Sequence, residues 1–176
     1  MELMIHTCCS PCLTYTAEYY SHDFDITAFW FNPNIHPFRE YEKRLKSLMD
    51  YKEKTGLKVI YKDEYPLRRF LEGALRAKNR CEFCYEWRLS ETAKVASEEG
   101  FDAFTTTLTL SPYQDHELIK KIGGRVGNEK GVKFIYSDLT DGFYRSHEIA
   151  DDHELYKQGY CGCIFSEMER YKKEIT

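Results

Sequence analysis

Apolar positions along this chain follow two rhythms: short β-branched or aromatic runs, and longer stretches at helical spacing. Leu3-Met4-Ile5 predicts a short buried strand, followed by a helix over residues 14–20. Residues 25–31 predict a second strand, ending at the turn signal Asn32-Pro33-Asn34. Tyr41, Leu45, Leu48 and Met49 mark a helix over 39–55 that stops at Gly56, and 58–62 read as strand three. After Pro66, a first-turn residue, Leu67, Phe70, Leu71, Ala74 and Leu75 recur at amphipathic helical spacing. A further helix runs from about residue 84 to 99 and is closed by Gly100.

Residues 101–110 read as strand four. Ser111-Pro112-Tyr113-Gln114 has the layout of a capping box, and the helix it opens buries Leu118, Ile119 and Ile122 and ends at Gly123-Gly124. Gly123-Gly124-x-x-Gly127 lies after a helix and before a strand, the wrong context for a nucleotide loop, so it reads as a helix end and turn. Residues 132–136 are strand five, 145–158 a helix, and Ile164, Met168, Tyr171 and Ile175 a last one.

Five strands alternating with helices predict an α/β fold in one domain over residues 1–176, with a mainly parallel five-stranded sheet of order 3-2-1-4-5. No linker, repeat or low-complexity segment interrupts it. Doubly wound sheets bind ligands at the carboxyl ends of their strands, where the order reverses. Strands one and four flank that crevice. The loops that follow them are Cys8-Cys9-Ser10-Pro11-Cys12 and Ser111-Pro112-Tyr113.

Composition alters this little. Apolar content of 42% and charged content of 31% are those of a soluble globular chain. No apolar run approaches a membrane span and the first residues lack signal-peptide features, so a cytosolic protein without membrane association is expected. The net charge of −4 argues against a general nucleic-acid binder. Locally, Arg68, Arg69, Arg76, Lys78 and Arg80 face one acid, Glu72, either as a solvated helix face or as a patch for phosphates. The 14 tyrosines suit core packing first and base stacking second.

The seven cysteines do change the reading, because none is scattered: Cys8, Cys9 and Cys12, then Cys81 and Cys84, then Cys161 and Cys163. In a reducing compartment such spacing indicates metal binding or catalysis rather than disulfides. A structural zinc site explains four thiols at most, and a thioredoxin-like Cys9-Ser10-Pro11-Cys12 pair leaves five idle. A four-cysteine [4Fe–4S] cluster beside a single metal uses all seven. Adjacent cysteines tend to point apart, so Cys8 and Cys9 are expected to serve different centres. Asp138, just past strand five, is a turn residue or a completing ligand. His6 reads as a satisfied strand-end histidine, and His36 and His147 are uninformative.

Taken together, Cys8-Cys9-Ser-Pro-Cys12, Asn32-Pro-Asn-Ile-His36-Pro, Arg80-Cys81-x-x-Cys84, Thr105-Thr-Thr-Leu108 with Ser111-Pro-Tyr113-Gln114, and Tyr160-Cys161-Gly-Cys163 resemble the cobalamin-independent epoxyqueuosine reductases of the QueH type. The resemblance spans residues 3 to about 166. It implies a Rossmann-like HUP (adenine nucleotide α-hydrolase-like) three-layer fold. The implied activity is reduction of the epoxide of epoxyqueuosine at the wobble position of tRNA, the last step of queuosine synthesis. The implied cofactors are a [4Fe–4S] cluster and a mononuclear iron, held by the seven cysteines and a carboxylate, for which Asp138 is the candidate. Tyr113 is then a candidate proton donor, and Tyr113 or Phe143 a surface for an unpaired anticodon base. The basic 67–80 stretch would meet tRNA phosphates, and an unidentified electron donor is required. The rival readings are a thiol–disulfide oxidoreductase and a zinc-bound RNA-binding module.

Overall fold

The computed structural model describes residues 1–172. Its sheet has the predicted order β3-β2-β1-β4-β5, with every neighbouring pair parallel. The strands are β1 (Glu2–His6), β2 (Asp25–Trp30), β3 (Lys58–Tyr61), β4 (Ala103–Thr106) and β5 (Lys133–Phe134). The helices are α1 (Ser10–Tyr20), α2 (Phe38–Thr55), α3 (Leu67–Arg76), α4 (Arg80–Glu98), α5 (His116–Lys130), α6 (Phe143–Asp152) and α7 (Ile164–Tyr171). Leu3, Met4 and Ile5 are completely buried because β1 is central, covered on both faces by helices. The winding reverses between β1 and β4, so α1 and α4 lie on opposite faces. α1 packs with α6, and α4 with α5. Among the described residues no helix is long and apolar enough to cross a membrane.

Several boundaries differ from the expected ones, each for a local hydrogen-bonding reason. α1 starts at Ser10 because Cys9 caps it, and α4 starts at Arg80 because the Asn79 side chain accepts from the Cys81 and Cys84-proximal Glu82 amides. β4 stops at Thr106, whose hydroxyl accepts from the Leu108 amide and turns residues 107–110 into a 3-10 helix. The Ser111 capping box does not form. Asp115 caps α5 instead, accepting from the Leu118 amide at 3.0 Å. α6 ends at Asp152, so residues 153–158 are not helical, and Ile175 lies outside the described residues. The apolar stripe of α3 is only partly covered: Phe70 and Ala74 are buried, whereas Leu75 is exposed.

Gly123-Gly124 does not end its helix. α5 continues to Lys130 and stops at Gly131, whose φ of 69° is left-handed. Gly123 and Gly127 serve close packing against β5. A Cβ on Gly123 would lie 2.4 Å from the Phe134 ring, and one on Gly127 would lie 2.7 Å from the Val132 carbonyl oxygen. Gly123→Ala is expected to destabilise the fold by about 1–3 kcal/mol through overpacking, despite alanine's better helix propensity. Urea unfolding checks this, and a more stable variant would show that Phe134 yields freely.

Candidate metal centre

Cys8, Cys9 and Cys12 converge at the amino end of α1. Cys9 has extended backbone, and its sulfur accepts from the Cys12 amide at 3.5 Å, which places both in the first turn. From the β4 side, Thr107 accepts the Cys8 amide at 3.2 Å and donates to its sulfur at 3.3 Å. The three Sγ atoms lie within 4.8 Å of one another, with Cys8 and Cys9 at 3.7 Å. Adjacent thiols thus meet rather than point apart, because the cap and the Thr107 contact turn both into the crevice. Bonds of about 2.3 Å put two thiolates on one tetrahedral ion about 3.8 Å apart. Hydrogen bonds from Cys12 and Cys9 hold the Cys8 thiol well below its ordinary range. Burial raises Cys9, and donation to Cys8 raises Cys12. Without a cation the triad therefore favours one shared thiolate; a metal ion would deprotonate the others.

The other four thiols line one pocket together with Asn34, Tyr85 and Arg88. Cys81 and Cys84 occupy the first turn of α4, and Cys163 caps α7 through the Ser166 amide at 3.4 Å. A hydrogen bond from Cys163 pushes Cys161 down to about 5, while burial pushes Cys84 up to about 11.

The Cys161 loop is held from α2. Arg44 and Glu40 form a buried ion pair, with Nε 2.7 Å from Oε1. The same guanidinium donates to the Tyr160 carbonyl at 2.9 Å and the Cys161 carbonyl at 3.2 Å. Glu40 also accepts from Tyr156 at 2.7 Å, and the His36 amide donates to the Gly162 carbonyl at 2.7 Å. Gly162 has a φ of 131°, so a side chain is disfavoured where the loop folds against Ile35 and Arg44.

The remaining candidates stand apart from the thiols. Tyr113 is 83% exposed, edge-on to Phe143 at 6.1 Å. Asp138 accepts from the Thr140 amide and hydroxyl at 3.1 and 2.7 Å, bonds that lower its carboxyl; it belongs to neither thiol group. His6 is satisfied as expected, between Thr106 Oγ1 and the Phe31 carbonyl, and burial lowers it to about 3. His147 packs against Phe143 with the rings tilted by 48°. A larger cleft of about 540 Å³ opens near the amino ends of β2 and β3, lined by Glu18, Asp25, Tyr51 and Lys58, and holds no cysteine.

A protein-family model described as Epoxyqueuosine reductase QueH matches residues 3–169. The chain belongs to the QueH family. It is thereby placed among the oxidoreductases. The epoxyqueuosine reductase QueH of Dehalococcoides mccartyi is 33% identical, over 98% of this chain and 96% of that protein. That of Staphylococcus epidermidis is 38% identical, over 96% of this chain and 77% of the relative. The fold is also that of the U34-tRNA thiolase NcsA from Methanococcus maripaludis, solved with its [4Fe-4S] cluster. The TM-score is 0.61 at 15% identity, covering 99% of this chain and 67% of that one. The expected HUP-type Rossmann architecture is therefore present in this QueH chain.

Some residues beside the thiols gave no compositional signal. Arg88 follows Cys84 by four positions, a spacing that places its guanidinium beside that thiol once both lie on α4. Tyr85 lines the pocket, accepts from the Asp115 amide and donates to Gln114 at 2.8 Å. Gln158 donates to Cys9 Sγ at 2.9 Å from a non-helical segment that sequence periodicity had assigned to a helix.

Proposed function

We propose that this protein reduces the epoxide of epoxyqueuosine in tRNA to the cyclopentene of queuosine, using a [4Fe–4S] cluster and a mononuclear iron. The observation that carries this reading is the gathering of all seven thiols into two adjoining groups at one sheet edge. The donor set fits: thiolates are soft ligands suited to iron–sulfur chemistry. An orphaned atom fits as well, since Gln158 Oε1 is buried with no partner among the described residues. The amide's two ends are interchangeable by rotation, so either end can face the triad. Cys81, Cys84, Cys161 and Cys163 would hold the cluster, and Cys8, Cys9 and Cys12 the single iron. When bound, these groups supply electrons one at a time and Lewis acidity.

Removing the epoxide oxygen as water consumes two electrons and two protons and leaves a carbon–carbon double bond. Burial raises the Tyr85 hydroxyl above its ordinary value, so it stays protonated and presents a neutral O–H beside the pocket. This favours Tyr85 over the exposed Tyr113 as the proton-bearing group. Tyr113 and Phe143 remain the aromatic edge on which an unpaired base would stack. Asp138 is assigned to the rim.

Toward the tRNA backbone, Arg68 pairs with Glu72 and Arg80 with Glu169. Exposed Arg69, Arg76 and Lys78 have no carboxylate in ion-pair reach among the described residues, and Arg69 lies 4.6 Å over the Trp87 ring. Reversing these three to Glu is expected to weaken tRNA binding and to lower its salt slope by about one per lost phosphate contact. Unchanged affinity at low salt would return α3 to a solvated face.

The deciding experiment is anaerobic reconstitution followed by turnover of epoxyqueuosine-containing tRNA with a chemical reductant. Broad visible absorption, several irons per chain and conversion to queuosine are expected. One zinc per chain, no visible absorption and no turnover would favour a zinc-bound RNA-binding module instead.

A further inference from the structure

Arg88 is buried, only 2% exposed, and sits between the two thiol groups. Its Nε lies 3.3 Å from His6 Nε2, one Nη donates to Asn32 Oδ1 at 3.2 Å, and the other to Cys84 Sγ at 3.7 Å. Among the described residues no carboxylate stands within 4.0 Å of it. Arg44, similarly buried, has Glu40 at 2.7 Å. Neither Asn32 nor His6 can supply a negative charge, since an amide is neutral and an imidazole is neutral or cationic. A guanidinium removed from water without an anion is costly, so such groups are retained where a charge compensates them. Among the described residues, the acidic group in contact with Arg88 is the Cys84 thiol, and Cys81, Cys161 and Cys163 line the same pocket.

We infer that Arg88 is the fixed countercharge of the metal centre, holding Cys84 in place and making the added electron more favourable on a cluster in the adjoining pocket. This rests on the cluster reading above. His6 and Asn32 are then positioning groups that orient the planar fork. Reduction adds one negative charge to the cluster while the cation beside it stays constant. Removing that cation leaves the new charge without compensation in a poorly solvated site, and the reduction potential falls.

The test compares parent protein, Arg88→Lys and Arg88→Met after identical anaerobic reconstitution, measuring iron and sulfide per chain and the midpoint potential by EPR-monitored titration. Arg88→Met is expected to lower the equilibrium constant for one-electron reduction at least tenfold, about 59 mV in potential, or to lose its iron. Arg88→Lys is expected to keep both iron and potential near the parent's. A Met variant with full iron and the parent potential overturns the inference. So does equal iron loss in Lys and Met, which would mark the fork as a structural brace. Parent protein without iron overturns the cluster reading, and this inference with it.

Discussion

Cys84→Ser is expected to strip the cluster from a protein that still folds, whereas Cys9→Ser removes only the single iron. Cys84 contributes a sulfur to the pocket, and its helix keeps the Asn79 cap when the thiol is gone. Cys84 lies outside the core built on Leu3, Met4, Ile5 and Phe104, and Cys9, a buried member of that core, is exchanged for a side chain of similar size. At position 9 a serine hydroxyl replaces one N-cap acceptor with a better one, so α1 is retained while a metal ligand is lost. Iron per chain should fall by about four for Cys84→Ser and about one for Cys9→Ser. Visible absorption should vanish only in the first. Turnover should fall below detection in both, with far-ultraviolet circular dichroism unchanged. Identical iron loss in the two variants would refute the division into a pocket of four and a triad of three.

The second large effect concerns the buried pair on α2. Arg44→Met leaves Glu40 inside the protein with only the Tyr156 hydroxyl as donor, and removes both side-chain donors to the Tyr160 and Cys161 carbonyls. Breaking a buried pair from one side costs about 3–5 kcal/mol, so the urea midpoint should drop sharply. Adding Glu40→Gln should recover part of the loss, because the stranded charge is then gone. Iron content should nonetheless remain low in the double variant, since the Cys161 loop is still released from α2. A destabilisation below ~1 kcal/mol would show that water reaches the pair and that the loop is held elsewhere.

Much of the architecture is legible in local pattern. Strand–helix alternation carries the parallel α/β class, because parallel neighbours require helical crossovers. The three cysteine loops announce themselves because packing gives thiols no reason to cluster. Where the reading erred, a packing contact or a competing cap outweighed the composition of the segment. Gly123-Gly124 has the composition of a helix end, yet Gly123 is needed bare by Phe134 eleven residues on. Ser111-Pro112 has the form of a cap, but Asp115 takes the role and His116 Nε2 meets the Ser111 carbonyl at 3.0 Å.

The sequence by itself determined the α/β class and the clustering of the thiols on three loops, since each follows from spacing and side-chain chemistry; the order 3-2-1-4-5 was one of the orders that such alternation allows. Only the tertiary structure decided which thiols meet. Cys8 is held by Thr107 from a 3-10 turn 99 residues away, and Cys161 is held by Arg44 from 117 residues away. It also showed that the charged side chains lining the pocket are Arg80 and Arg88, rather than a carboxylate such as Asp138. Hydrogen bonds of that range leave no periodicity in the chain; they exist only once the sheet has brought its loops to one edge.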